Sequence, residues 1–244
     1  MKRITPIVIF AVFFFPGFVM PSYSQSYPVR NITVHFHNRI GNTPLELGKQ
    51  VTNILGNEIT IERFRYYVSH FSVVTSDNRT IPLPEACFLI DEEDSSSRTI
   101  RLSIPDIPIT GIRFLLGVDS LKNVSGTQTG ALDPLQGMFW TWNTGYIMAK
   151  LEGSSPEAQT AGHRFTYHIG GFRKGMETAR NISIPFQQTV TQLTTLHILA
   201  DINQWFTGKS ILRISETPIC HSPGALAVRI ADNYQRQFSL LSLQ

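Results

Sequence analysis

The chain has 244 residues, 42% hydrophobic, 16% charged and 11% aromatic, a composition that excludes a disordered or fibrous chain. Its formal net charge is +3, and leaving out Lys2 and Arg3 takes the 21 basic residues to 19, against 18 acidic ones. So near-neutral a chain gives no electrostatic reason to expect a nucleic-acid partner, and its 2 cysteines are too few for a disulfide scaffold or a Cys-rich zinc site.

Residues 1–24 read as a secretory signal peptide: Lys2 and Arg3 form a basic start, an apolar run follows, and Ser22 and Ser24 supply small residues before a cut near Ser24 or Gln25. The run is short for a membrane span and is interrupted by Pro16 and Gly17. The remainder, 25–244, is expected to form one domain in an oxidising compartment. There Cys87 and Cys220 could pair or stay as separate buried thiols, and the spacing leaves both open.

Alternating and β-branched runs then follow in order, at 29–37, 66–74, 87–90, 99–104, 111–116, 144–151, 164–169, 180–184 and 195–200. Turn residues separate them, and the helix-length patterns of a parallel α/β sheet are missing. This predicts an all-β fold, a β-sandwich of about nine short strands. A helical turn is expected at 60–64, with Thr60 as its cap. The best-signalled helix is C-terminal: Ser222 suits an N-cap, Pro223 the first turn, and Leu226, Ile230, Tyr234 and Phe238 make an apolar stripe to pack on the sheet. Between strands lies a long Gly-rich loop, 117–153, with Gly117, Gly126, Gly130, Gly137, Gly145 and Gly153 and the close pair Trp140 and Trp142. A loop of that length inside a compact domain is usually functional.

No G-x-S-x-G, H-E-x-x-H, Walker or G-x-G-x-x-G pattern occurs, so the chain is not expected to be an enzyme. The acidic run 91–94 lacks the ligand alternation of a calcium loop and reads as a solvated turn. The 7 histidines carry more: His35 and His37 would share a strand face, His163 and His168 bracket another strand, and His221 precedes the helix. Imidazoles from distant strands can converge on copper or zinc. Residues alone leave a second reading open, a secreted β-sandwich interaction module that binds a glycan or protein through Trp140 and Trp142.

The stretch GVDSLKNVSGTQTGALDPLQGMFWTWNTGYIMAKLEG resembles the MbnP-like family of bacterial periplasmic copper-binding proteins, in its Bacteroidetes-type branch. FHNRIGNTPLELG, FRYYVSHFSV, FTYHIGGF, ADINQWF and CHSPGALAVRIADNYQRQF extend the resemblance over nearly the whole mature chain, in order. It implies a β-rich sandwich and a copper site built from histidines and a kynurenine, which a partner di-haem enzyme similar to cytochrome c peroxidases makes from a tryptophan. Such nitrogen ligands imply Cu(I). Mapped onto this chain, the W-x-W pair offers Trp140 and Trp142, H-I-G-G offers His168, and His37 (F-x-H) and His221 (H-S-P) are further candidate ligands.

Overall fold

The computed structural model describes residues 27–142 and 145–244; the signal-peptide expectation at 1–24 lies outside them. The strands are β1 (Val29–Ile40), β2 (Thr43–Pro44), β3 (Gln50–Thr52), β4 (Glu58–Thr75), β5 (Thr80–Pro82), β6 (Cys87–Asp91), β7 (Thr99–Pro105) and β8 (Ile109–Leu116). The chain continues through β9 (Phe139–Trp140), β10 (Gly145–Ser154), β11 (Arg164–Gly170), β12 (Arg180–Val190), β13 (Thr195–Asp201), β14 (Ile219–Cys220) and β15 (Phe238–Leu243). Three short helices are α1 (Ser120–Val124), α2 (Asn203–Thr207) and α3 (Ala225–Tyr234). Each of the nine predicted strands corresponds to one of these. The rest are mostly two- or three-residue edge pieces that carry too little pattern to read, and β4 is far longer than the alternation suggested.

Two open sheets face each other. One runs β15-β13-β1-β2 with β7 also on β1; the other runs β12-β8-β4-β10-β11-β14, with β3, β5 and β6 on β4 and β9 on β10. Period-two alternation drives the core: Ile32, Val34 and Phe36 of β1 point inward and are at most 2% exposed. Phe36 meets Tyr66 and Phe114 of the opposite sheet edge-on at 6.1 Å each, a favoured aromatic geometry.

Two expectations at the local level fail for physical reasons. The predicted helical turn at 60–64 is part of β4. Ile61 and Phe64 are both buried and three apart, as on a helix, but register slips between Arg63 and Ile61 opposite Glu152 and Gly153, so a bulge shifts the inward phase. Ser222 does not cap the C-terminal helix; α3 starts at Ala225 behind Gly224, with no side-chain cap. Its stripe of Ala227, Ile230, Ala231 and Tyr234 is buried, but ends at Tyr234, and Phe238 opens β15 instead. The helix is held by Tyr234, whose hydroxyl donates to Thr178 O at 2.5 Å. Cys87 and Cys220 are both free thiols; burial pushes the Cys87 thiol up to about 12.

The Gly-rich segment ends as β10 itself, and its part before that strand, 117–142, is a roof more than a loop. It lies on the outer face of the ten-stranded sheet and closes a second apolar core of Tyr67, Val118, Leu132, Met138, Trp140, Tyr146, Ile147 and Met148. Polar ties fix it there. Tyr67 and Tyr146 donate their hydroxyls to the carbonyls of Ala131 and Leu132 at 3.0 and 2.9 Å. Asn123 Oδ1 accepts from Tyr146 N at 2.8 Å. Nearly every residue of β10 is therefore buried on both faces, which explains why that strand reads as a continuous apolar run.

Candidate metal centre

Alternation along β11 sends Phe165, Tyr167 and Ile169 into the core and leaves Thr166 and His168 facing outward. The parallel pairing of β14 on β11 matches Thr166 with Ile219 and Tyr167 with Cys220, so the next residue, His221, arrives beside His168. Their rings stack with centroids 4.6 Å apart and planes 27° from parallel. Across β10, Glu152 Oε1 sits 2.6 Å from His168 Nε2, and Glu152 Oε2 accepts from Arg63 at 3.0 Å. The His168 hydrogen bond, ahead of other effects, holds the Glu152 carboxyl down to about 2.

That geometry fixes a tautomer. A carboxylate can only accept, so His168 Nε2 carries a hydrogen, which leaves Nδ1 as the nitrogen a metal would take, the orientation a carboxylate commonly imposes on a metal-binding imidazole. Burial, then the neighbouring His168, lowers the pKa of His221, which favours the neutral imidazole that metals bind. His221 Nε2 contacts Thr166 Oγ1 at 2.5 Å, leaving Nδ1 free. Above the pair, Lys150 is buried and donates Nζ–H to Gly137 O at 2.6 Å, tying the edge of the roof to β10; burial lowers its pKa.

The two tryptophans have separate fates. Trp140 is 6% exposed and Trp142 64%. Trp140 lies against Gly170, where an added Cβ would come within 2.6 Å of the indole, so the glycine after H-I is what admits the ring. Trp142 leans on Trp140 at 5.4 Å and lines a cavity of about 230 Å³ with Gly171, Phe172, Met176, Ser222 and Pro223. Gly171, three residues after His168, and Ser222, next to His221, thus border Trp142. A larger cavity of about 370 Å³, lined by Gln50, Glu58, Thr60 and His163 among others, shares no residue with this region.

His168, His221, Trp140 and Trp142 are therefore gathered at one edge of the ten-stranded sheet, whereas His37 is on the other sheet. There it joins His35 and His197, neither of which the sequence reading assigned to a site. His37 Nε2 and His197 Nδ1 are 2.9 Å apart, and the His35 ring stacks on His197 at 5.0 Å. Burial and the His197 imidazole lower the pKa of both His35 and His37. Glu152 was also missed: a lone acidic residue on an apolar strand gives no signal until β10 and β11 are paired. Met138 is fully buried in the roof core. The acidic run is more engaged than a solvated turn, since Asp91 and Glu93 pair with Arg65 and Glu92 with Arg98.

One further cluster, His70, Glu85 and Asp119, brings three donor atoms within 4.8 Å of one another. Lys122 enters it, bonded to Glu85 and 3.7 Å from Asp119, so it is an ion-pair network already supplied with a cation. His70 sits there at φ 50, at a register shift of β4 between Ser69 and Ser72.

The MbnP family model matches residues 29–222 of the chain. Among solved structures, MbnP from Methylosinus trichosporium superposes with a TM-score of 0.57 at 16% identity, over 88% of this chain and 100% of that one. No curated protein matches. Among the described residues no helix is long and apolar enough to cross a membrane.

Proposed function

Since the chain belongs to the MbnP family of copper-related, non-enzymatic accessory proteins, we propose that it is a periplasmic copper-binding protein, exported by a cleaved signal peptide, that holds Cu(I) at the edge of the Gly-rich roof. His168 and His221 are the imidazole ligands, and a kynurenine made from Trp142 is the third donor. The observation that carries this reading is the stacked His168–His221 pair, with His168 oriented by Glu152 and Trp142 next to Ser222. Glu152 is occupied by His168 and Arg63. The donors left free are neutral nitrogens, which suit copper better than magnesium or calcium.

Trp142 is favoured over Trp140 because oxidation by a separate protein needs an accessible ring, and Trp142 is the exposed one. Indole nitrogen is a poor ligand; opening the ring yields an aromatic amine and a carbonyl that can reach a metal. The oxidising partner is a di-haem enzyme similar to cytochrome c peroxidases.

The test is mass spectrometry with metal analysis on protein purified from its native periplasm. The reading expects kynurenine at residue 142, near-stoichiometric copper, and Cu(I) affinity reduced at least tenfold in His168→Ala. Unmodified Trp140 and Trp142 with no bound copper would overturn it and favour the interaction module, with exposed Trp142 as the contact.

A further inference from the structure

We propose a second metal site on the opposite face of the sandwich, in which His35, His37 and His197 bind Cu²⁺. It is independent of the His168–His221 site and uses residues from the five-stranded sheet alone.

The sheet itself builds the cluster. β1 and β13 pair in parallel with His35 directly opposite His197. Alternation buries Val34, Phe36, Leu196 and Ile198 on the inner face, which puts His35, His37 and His197 together on the outer one. Three of the 7 histidines thus meet on two adjacent strands.

The donor set points to a particular cation. Two ligand nitrogens about 2.0–2.1 Å from one metal ion and at right angles to each other lie about 2.9 Å apart; at a tetrahedral angle they lie about 3.3 Å apart. His37 Nε2 and His197 Nδ1 are separated by 2.9 Å. At 2.9 Å the two nitrogens are in hydrogen-bond contact, so a turn of one ring brings both onto a single ion, and among the first-row divalent ions an all-imidazole set binds Cu²⁺ most tightly. In the metal-free protein the same spacing is bridged by one hydrogen between two imidazoles. His35 is the third ligand. Its Nδ1 contacts Thr99 Oγ1 at 3.0 Å, and its ring centroid is 6.4 Å from that of His37. It reaches the metal by turning its ring and giving up that one solvent-accessible hydrogen bond. Arg98, paired with Glu92 at 2.8 Å, bears on His37 electrostatically and works against a cation there, so the three imidazoles supply the affinity.

The experiment uses the full mature chain without a histidine tag, titrated with Cu²⁺ in the absence of reductant and followed by electron paramagnetic resonance. Expected is a tetragonal Cu²⁺ signal with nitrogen hyperfine structure. Cu²⁺ affinity should fall at least tenfold in His197→Ala and His37→Ala, fall less in His35→Ala, and be unchanged in His168→Ala. All four substituted positions face outward from their sheets, and a thermal melt confirms that each variant is folded. Absence of the nitrogen-ligated signal in the wild type, or its persistence at undiminished affinity in His197→Ala, overturns the site. Loss of the signal in His168→Ala alone overturns it too, while leaving the first copper site standing. Loss in His197→Ala from a protein that binds no Cu(I) upholds this site and removes the other.

Discussion

On one outer face of the sandwich a histidine is anchored by a carboxylate; on the other, histidines are held by one another and a threonine. The ten-stranded sheet carries a roof, and where the roof ends His168 is fixed by a carboxylate and stacked on His221, whose neighbour Ser222 borders Trp142. The five-stranded sheet carries three imidazoles that contact one another and a single threonine. The difference lies in what the surrounding chain has invested. Orienting His168 requires Glu152 on β10, and keeping β10 in place requires the whole segment that buries its outer side. The second cluster needs only register, because two strands paired in parallel place His35 opposite His197. An imidazole anchored by a carboxylate loses little entropy in reaching ligand geometry, whereas rings held only by one another and a threonine must rearrange around the ion they bind.

Removing the roof's keystone should separate the two faces most sharply. Trp140→Ala deletes a ring packed against Gly170 and Trp142 and should cost about 3–5 kcal/mol in urea unfolding. His35→Ala on the open face should cost less than about 0.5 kcal/mol. Similar losses in the two variants would mean that the roof is not a core.

Glu152→Gln comes next. The amide keeps the size of the side chain but removes the charge that fixes the His168 tautomer. Copper affinity at the first site should fall about 10- to 100-fold, the usual effect of losing such a partner, with Cu²⁺ binding by the His197 cluster unaltered. Equal losses at both would indicate a general change in the fold. A smaller effect is expected from Tyr146→Phe, which leaves Leu132 O without its 2.9 Å donor. That should cost about 1–2 kcal/mol and raise amide exchange rates in the roof while those of β1 and β13 stay the same.

How far these faces could be read in advance follows from their physics. Nine strands were legible because each shows one polar and one apolar side, or a wholly apolar run. Edge pairs such as β9 and β14 were not, since two residues carry no period. The bulges in β4 were hidden because a phase slip of one residue imitates helical spacing at Ile61 and Phe64. His168 and His221 stood out by motif, but their meeting depends on the β11–β14 register. Glu152 and His197 carry no local signature at all: one becomes visible when β10 pairs with β11, the other when β13 pairs with β1. That the Gly-rich segment packs as a roof was hidden for a similar reason, because Met138, Leu132 and Val118 are scattered apolar residues until β4 and β10 provide a surface beneath them.

The smallest expected effect concerns the charge nearest the open face. Tyr66, Asn38, Glu92 and Arg98 form a chain of contacts: Tyr66 donates to Asn38 Oδ1 at 2.9 Å, Asn38 donates to Glu92 Oε2 at 2.7 Å, and Arg98 donates to Glu92 Oε1 at 2.8 Å. Burial raises the pKa of Glu92 despite the Asn38 and Arg98 bonds that oppose it. A carboxyl whose folded pKa is raised holds its proton better in the native state, so stability rises as pH falls through the folded value toward the ordinary one. Glu92→Gln removes the buried charge along with its ion pair, and these nearly offset, so at pH 7 the change should be under about 1 kcal/mol. The difference between wild type and variant should then shift in favour of the wild type as urea unfolding is repeated from pH 7.5 down to pH 5. Parallel curves over that range would mean that Glu92 ionises as an exposed carboxyl does. Arg98 would then keep its anionic partner over the whole range, and less of its charge would bear on His37.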